Sequence, residues 1–453
     1  MKFYKAPCLV AVFLILAGCS SKDDSDFTAP ELTVTTFSPS KEAIEITWEL
    51  SKGADVIIED LLVFRETKTD DSERTYFELI ESLPSSAKSY IDTDVPYVSK
   101  ISYIIKANYR LDTQELNEIV LIESEAQVYS RLFPEFNRVP FQVSRDPIDK
   151  NIYHILDIWD MAQLVRYDGT LNRVVQKREL SQNHEYYDKF IFYENKIVAA
   201  DLNGSIFFVD KDTYEIDKHY TAELNDDFES FGIIGDRLYF VDDFSFDYVD
   251  LVTGETIKNG LGHSFEYFEV LNDETLLTLS SGPRTSSASI YEFQPDLDPG
   301  SGWDFSLLRT ISTYSEQNLD GDDIDEFMVT WNNDRSQFVT AIEGRFFNID
   351  DLSPGAVLGN ITGKKYLNYL FDENGDIYAS VQKEKIIHVF DGETFELKQE
   401  ILTKLYPIYP MLTDNGLVCI GAYEKVEYWG YNYAYANGFD SKCALETFQV
   451  SNL

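Results

Sequence analysis

The sequence predicts an all-β protein, a small sandwich followed by a propeller of seven four-stranded blades, and three observations predict it. Apolar residues fall in short runs of period two, broken by Gly, Asn and Asp turns, with no long helical period. A turn of the form Asp-x-x-Thr-x-Glu starts at Asp210, Asp250 and Asp391. Hairpin turns accompany it about every 40 residues, the period of a blade.

Lys2 and Lys5 open the chain, and the apolar run that follows, from Cys8 through Leu16, is too short for a permanent membrane helix. Residues 1–18 therefore read as a signal peptide. The run closes on Leu16-Ala17-Gly18-Cys19, which resembles the lipobox of bacterial lipoproteins. That resemblance implies cleavage before Cys19 and acylation of Cys19, with each buried methylene adding about 0.8 kcal/mol of membrane affinity. Residues 19–28, rich in Ser and Asp, carry too little apolar surface to fold and read as a tether. Acidic residues so close to the cysteine resemble the surface-export signal of some gram-negative lipoproteins, with a solvated linker as the alternative. The expected location is the outer membrane, on the cell surface or facing the periplasm. No later stretch is long and apolar enough for a transmembrane helix.

Residues 29–127 form the first domain. Ile44-Glu45-Ile46-Thr47-Trp48-Glu49-Leu50 alternates in and out, and Trp48 is a natural plug for a sandwich core. Tyr90-Ile91-Asp92-Thr93-Asp94-Val95 then leads to Ile101-Ser102-Tyr103-Ile104-Ile105-Lys106-Ala107. These residues resemble the fibronectin type III family, whose late strand reads Tyr-x-Tyr-x-Val-x-Ala, although Ile101 stands at the corner tyrosine. The resemblance implies a spacer domain.

Residues 128–453 repeat. Upstream hairpin turns stand at Asp149-Lys150-Asn151, Glu194-Asn195, Gly235-Asp236, Asn272-Asp273, Asn333-Asp334, Asn374-Gly375-Asp376 and Asp414-Asn415-Gly416. They count seven blades. Six or eight are the alternatives, because Pro283 and Pro295 stretch the fourth unit. In the recurring turn, Asp and Thr side chains can bond the turn backbone and free the flanking apolar residues to pack between blades. The Asp-x-x-Thr-x-Glu turn resembles the repeats of the quinoprotein-like and YVTN-type propellers; since a blade repeat is structural, the resemblance implies no cofactor. The last unit stops after a third strand, and residues 129–133 are expected to supply the missing fourth and close the ring.

The formal charge of −41, from 38 Lys and Arg against 79 Asp and Glu, argues against nucleic acid, which needs a basic footprint. It implies solubility first and cation binding second. An oxidising compartment favours a bond between Cys419 and Cys443. Register opposes it: matching 417–422 and 444–450 to the sixth blade sets Cys419 opposite Phe448, with Cys443 beyond the paired end. Two reduced thiols are the expectation.

Loops joining second to third strands, and blade to blade, share one face, and this chain places its irregular segments there, at 280–288, 314–326 and 423–442. The last is dense in aromatics. Tyr428, Trp429, Tyr431, Tyr433 and Tyr435 are the candidate ligand residues, because aromatic faces beside amides and carboxylates suit sugar rings or peptides. A hairpin whose tyrosines pack on the next blade is the alternative. A second set, Tyr186, Phe228, Phe265, Phe327, Tyr366 and Tyr406, recurs at blade period and reads as core. Glu185, Glu229, Glu266 and Glu326 accompany it, as a cation ring or as charged tips facing water. Asp320, Asp322 and Asp325 resemble part of a calcium loop, with Asp323 where the EF-hand pattern needs glycine; a solvated acidic loop is the alternative. No cofactor is expected, with calcium at this loop as the alternative.

No Gly-x-Ser-x-Gly or His-Glu-x-x-His motif is present, and the five histidines show no metal spacing. The expectation is a non-enzymatic surface binding or scaffold protein, anchored to the membrane by lipid, with a glycan or protein ligand on the loop-rich face. The alternative is an exported propeller-type polysaccharide hydrolase or lyase, and a role in outer-membrane assembly is the third.

Overall fold

The computed structural model describes residues 29–40, 43–68, 76–112, 119–131, 133–158, 162–181, 187–224, 228–242, 245–258, 267–280, 286–293, 305–312, 324, 328–428 and 440–448. The chain divides into two compact units, one ending at Arg131 and one beginning at Leu132.

In the first unit, Glu31–Pro39, Ile44–Ser51 and Ser89–Asp92 form a three-stranded sheet. Tyr76–Pro84, Val56–Lys68, Lys100–Leu111 and Val120–Glu123 form a larger one, with Gln127–Ser130 also paired to Lys100–Leu111. Trp48 (2% exposed), Ile46, Val63 and Tyr103 are buried, as period-two alternation demands of inward faces. A buried ion pair ties the sheets together: Arg65 of the larger lies 2.9 Å from Asp92 of the smaller, and the Tyr103 hydroxyl donates to the same carboxylate at 2.6 Å. Burial and that carboxylate push the Tyr103 hydroxyl far above its ordinary pKa, so it stays a donor.

The second unit consists, among the described residues, of seven four-stranded antiparallel sheets. The first is Gln142–Arg145, Ile152–Ile158, Ala162–Asp168 and Arg173–Ser181; the second is Tyr187–Tyr193, Lys196–Asp201, Ser205–Asp210 and Ile216–Thr221. The third is Phe228–Ile234, Arg237–Asp242, Ser245–Asp250 and Thr256–Ile257; the fourth is Tyr267–Asn272, Thr275–Ser280, Ser287–Phe293 and Phe305–Ser312. The fifth is Val329–Trp331, Gln337–Thr340, Arg345–Asn348 and Pro354–Val357; the sixth is Tyr366–Phe371, Ile377–Val381, Ile386–Phe390 and Leu397–Leu402. The seventh is Tyr406–Thr413, Gly416–Ala422, Cys443–Thr447 and, returning from the unit's start, Glu135–Phe136.

Second strands are apolar on both faces because each sheet packs on two neighbours. Leu156 meets Ile197, Val198 meets Phe240, Tyr239 meets Leu276, and Leu277 meets Phe338 in successive clusters. Phe346 with Ala379, Tyr378 with Leu417, and Ile420 with Ile155 complete the circuit. The seventh sheet thus packs on the first, which is the closed architecture of a β-propeller.

Hydrogen bonds lock that closure. Cys443 and Ala444 pair with Phe136 and Glu135, Leu445 N–H donates to Pro134 O at 3.0 Å, and the Tyr409 hydroxyl reaches Pro140 O and Phe141 O at 3.0 Å each. The closing strand therefore lies just downstream of the expected 129–133. Gln127–Ser130 is already engaged, opposite Lys100–Tyr103 in the first unit.

Each of the seven hairpin turns read from the sequence joins the first two strands of one sheet. The Asp-x-x-Thr-x-Glu turns behave as their chemistry predicts. Asp250 accepts from the N–H groups of Val252 and Thr253 at 2.8 Å, and the Thr253 hydroxyl accepts from Glu255 N–H at 3.3 Å. Asp210 and Asp391 do the same in theirs. These bonds pull the Asp210 carboxyl down to about 2. The residue after the threonine is left-handed in all three, with φ of 59° at Tyr214, 78° at Gly254 and 59° at Phe395.

The last sheet corrects the sequence register. Cys419 lies opposite Glu446, not Phe448, and Cys443 lies opposite Ala422, inside the paired span. A slip of two residues keeps every side chain on its own face, so alternation cannot detect it. Both cysteines are buried and free.

Candidate functional site

Antiparallel order puts the first-to-second and third-to-fourth turns of every sheet at one end of the second unit, and the remaining connections at the other. Connections at the first end are short except that between Phe293 and Phe305, and side chains staple the seventh sheet to the first there. Asn415 donates from Nδ2 to Gly169 O and Thr170 O at 2.8 and 2.9 Å, and Asn151 exchanges bonds with Asp414 in both directions. The connections from Ile257 to Tyr267, from Ser312 to Val329 and from Ala422 to Cys443 fall at the opposite end, and long connections are where propellers usually meet ligands.

Acids stand at that loop-bearing end, at equivalent positions where second strands finish. Asp157, Asp201 and Asp242 are 4%, 2% and 1% exposed. A carboxylate buried so far must have partners, and the three find different ones. Asp201 accepts the backbone N–H groups of Asn203 and Ser205 at 3.1 and 2.8 Å and so fixes its own turn. Asp242 and the buried Asp247 flank one cation, Lys258, at 3.2 and 3.4 Å, and the Ser245 hydroxyl donates to Asp247 at 2.7 Å. Asp157 has one oxygen bonded to Gln163 Nε2 at 2.7 Å and the other without a hydrogen bond. Burial raises its pKa. Nearby, Arg138 lies 3.4 Å from Asp440 with its Nε unbonded. Sequence reading missed these acids. Their signal is Ile155-Leu156-Asp157, Ala199-Ala200-Asp201 and Phe240-Val241-Asp242, an apolar pair followed by Asp at blade spacing.

Of the residues proposed from sequence, Tyr428 is 1% exposed and belongs to the core where the seventh sheet meets the first. Its N–H donates to Gln382 Oε1 at 3.2 Å, and its neighbour Glu427 pairs with Lys383. Tyr428 is therefore a packing residue and is unavailable to a ligand, because the start of the 423–442 segment folds back onto the sixth sheet. Trp429, Tyr431, Tyr433 and Tyr435 lie outside the described residues, as do Cys19, Asp320, Asp322, Asp325, Glu185, Glu266, Glu326, Tyr186, Phe265 and Phe327. The Glu229 side chain is likewise not described. Phe228 and Tyr366 are buried, as core positions should be. Among the described residues, no group of three or more His, Cys, Asp or Glu side chains is placed to hold a metal ion.

The His154 ring, fully buried, joins the first and second sheets through Asp146 at 3.0 Å and the Tyr214 hydroxyl at 2.7 Å. Lys211 completes this group 3.2 Å from Asp146, whose carboxyl is pulled down to about 2 by backbone, histidine and lysine donors that outweigh its desolvation. Desolvation pushes the His154 pKa down, so the ring is neutral.

No family model and no curated protein matches the chain. Solved structures do. The computationally designed protein Ika8 shares 11% identity over 69% of this chain and 97% of its own, with a TM-score of 0.41. The WD40 repeats of RRP9 share 10% over 70% and 96%, with a TM-score of 0.46. U3-55K shares 11% over 70% and 98%, with a TM-score of 0.48.

Proposed function

We propose that this chain is a surface lipoprotein, acylated at Cys19, in which a fibronectin type III-like spacer carries a seven-bladed propeller that binds a glycan or protein ligand at its loop-bearing end without turning it over. One observation carries the reading: the two ends of the propeller unit are built differently. One end carries the seven hairpin turns and the Asp-x-x-Thr-x-Glu turns, while the other carries three of the four longest connections beside buried acids, of which Asp201 is bonded to turn N–H groups and Asp242 and Asp247 to Lys258. Acids used in this way fix the short turns of that end, and rigid elements beside longer connections are how scaffolds present binding surfaces. The sheet order of the first unit, three strands against a larger sheet around Trp48, supports the spacer.

A second reading, an exported polysaccharide hydrolase or lyase, is favoured by Asp157, a buried carboxyl with a raised pKa and one unbonded oxygen. A glycan array run beside a reducing-sugar release assay separates the two. Capture without release supports the binding reading, and release overturns it. For the anchor, Cys19→Ala abolishes labelling by a lipid precursor and moves the protein to the soluble fraction; unchanged membrane retention with no label on the wild type contradicts acylation.

A further inference from the structure

Among the described residues the first unit leaves two nine-residue edges open, Glu31–Pro39 and Tyr76–Pro84, and the second carries more charge. Tyr76–Pro84 pairs with Val56–Lys68 on one side and, among the described residues, with no strand on the other. Proteins usually blunt such edges with lysines, prolines, bulges or brevity. This edge runs nine residues, without a lysine, with its only proline at the far end and with one bulge, between Leu79 and Glu81.

Its two sides differ in character. Phe77 and Leu79 lie on the outer side, 47% and 51% exposed. The Phe77 ring stacks on Phe64 at 4.7 Å, and Lys106, which stands 5.1 Å from that ring, is already paired with Glu123 at 3.0 Å. Glu78 and Glu81 lie on the sandwich side, opposite the buried Arg65 and Val63. Arg65 is shared by Glu78 at 2.6 Å and Asp92 at 2.9 Å, so two carboxylates meet one guanidinium, and the exposed Glu81 adds a further negative charge. The edge therefore presents Phe77 and Leu79 on one side and Glu78 and Glu81 on the other, a bulge between Leu79 and Glu81 bringing the second carboxylate to the side of the first.

We propose that Tyr76–Pro84 is a docking edge for an extended segment of a partner protein that alternates apolar residues with Lys or Arg and joins the sheet as an added strand. Main-chain bonds to the open edge supply affinity, and side-chain pairs set the register: apolar residues beside Phe77 and Leu79, cations beside Glu78 and Glu81. A second copy of this chain is excluded by the same side chains, because it would bring carboxylates against carboxylates.

The test uses the full chain and a labelled ten-residue peptide alternating valine and lysine, with a valine–glutamate peptide and a block-sequence peptide of the same valine–lysine composition as controls. The alternating basic peptide should bind and slow amide exchange within 76–84. Phe77→Ser with Leu79→Ser, and separately Glu81→Lys, should each weaken it about tenfold, the worth of a few cross-strand pairs. Glu81→Lys touches only an exposed side chain and decides the matter if the double variant misfolds. Equal binding by the glutamate or block peptide, protection confined to other strands, or unchanged affinity in Glu81→Lys would overturn the proposal. So would full protection of 76–84 in the free chain, which would show the edge already occupied.

Discussion

The Tyr153 hydroxyl, on the first sheet, donates to Leu412 O at 2.8 Å and accepts from Leu412 N–H at 2.9 Å on the seventh, so one side chain satisfies both backbone groups of a residue more than 250 positions away. Desolvation pushes its pKa up to about 12, which keeps it protonated and able to do both. Tyr153→Phe strips both bonds and leaves two backbone groups unpaired at the joint. We expect a loss of about 1–3 kcal/mol in urea unfolding. A variant as stable as the wild type would show that the joint is held by apolar packing alone.

Acid should weaken the propeller unit in stages. His154 has a folded pKa below its ordinary 6.5, so the unfolded chain takes up its proton first and stability begins to fall below about pH 6.5. Asp146 and Asp210 have folded values of about 2 against an ordinary 3.8. Their contribution is complete above 3.8 and is lost as pH falls from there towards 2. Melting temperature against pH should therefore bend twice, and Asp210→Asn should flatten the lower bend. A single bend unaffected by that substitution would contradict the assignment.

Glu446 should act with the opposite sign. It is 6% exposed, accepts the N–H groups of Lys404 and Leu405 at 2.8 to 3.1 Å, and is pushed up to about 7 by burial. A raised folded value means stability that is present below its ordinary 4.5 and lost as pH rises through about 7. Glu446→Gln should raise stability at pH 8 by on the order of 3 kcal/mol relative to its effect at pH 4. An equal effect at both pH values would show that burial leaves the folded pKa of Glu446 at its ordinary value.

Burial raises both remaining thiols well above the ordinary cysteine pKa. Cys419 and Cys443 should resist a thiol reagent in the native protein and react together on unfolding. A linked Cys419–Cys443 peptide under non-reducing digestion would contradict the register of the seventh sheet.

Much of the second unit was legible because its chemistry is local. Asp210, Asp250 and Asp391 bond residues two and three positions ahead, and such a turn is spelled out within six letters. What failed is non-local. The partner of Cys419 depends on where a long connection returns, and period two is blind to a slip of two. Tyr428 reads as a ligand aromatic among its neighbours in sequence, yet its neighbours in space are the cores of two sheets. Asp157, Asp201 and Asp242 were hidden by abundance: with 79 acidic residues, only burial distinguishes them.

The central claim is that the loop-bearing end binds without chemistry, and the most direct measurement is recovery of a captured glycan. A glycan from the array is held with stoichiometric protein for many half-lives of its complex and then weighed by mass spectrometry. The account predicts intact ligand and unchanged binding in Asp157→Asn. Cleaved product that disappears in Asp157→Asn would contradict it and make the chain an enzyme.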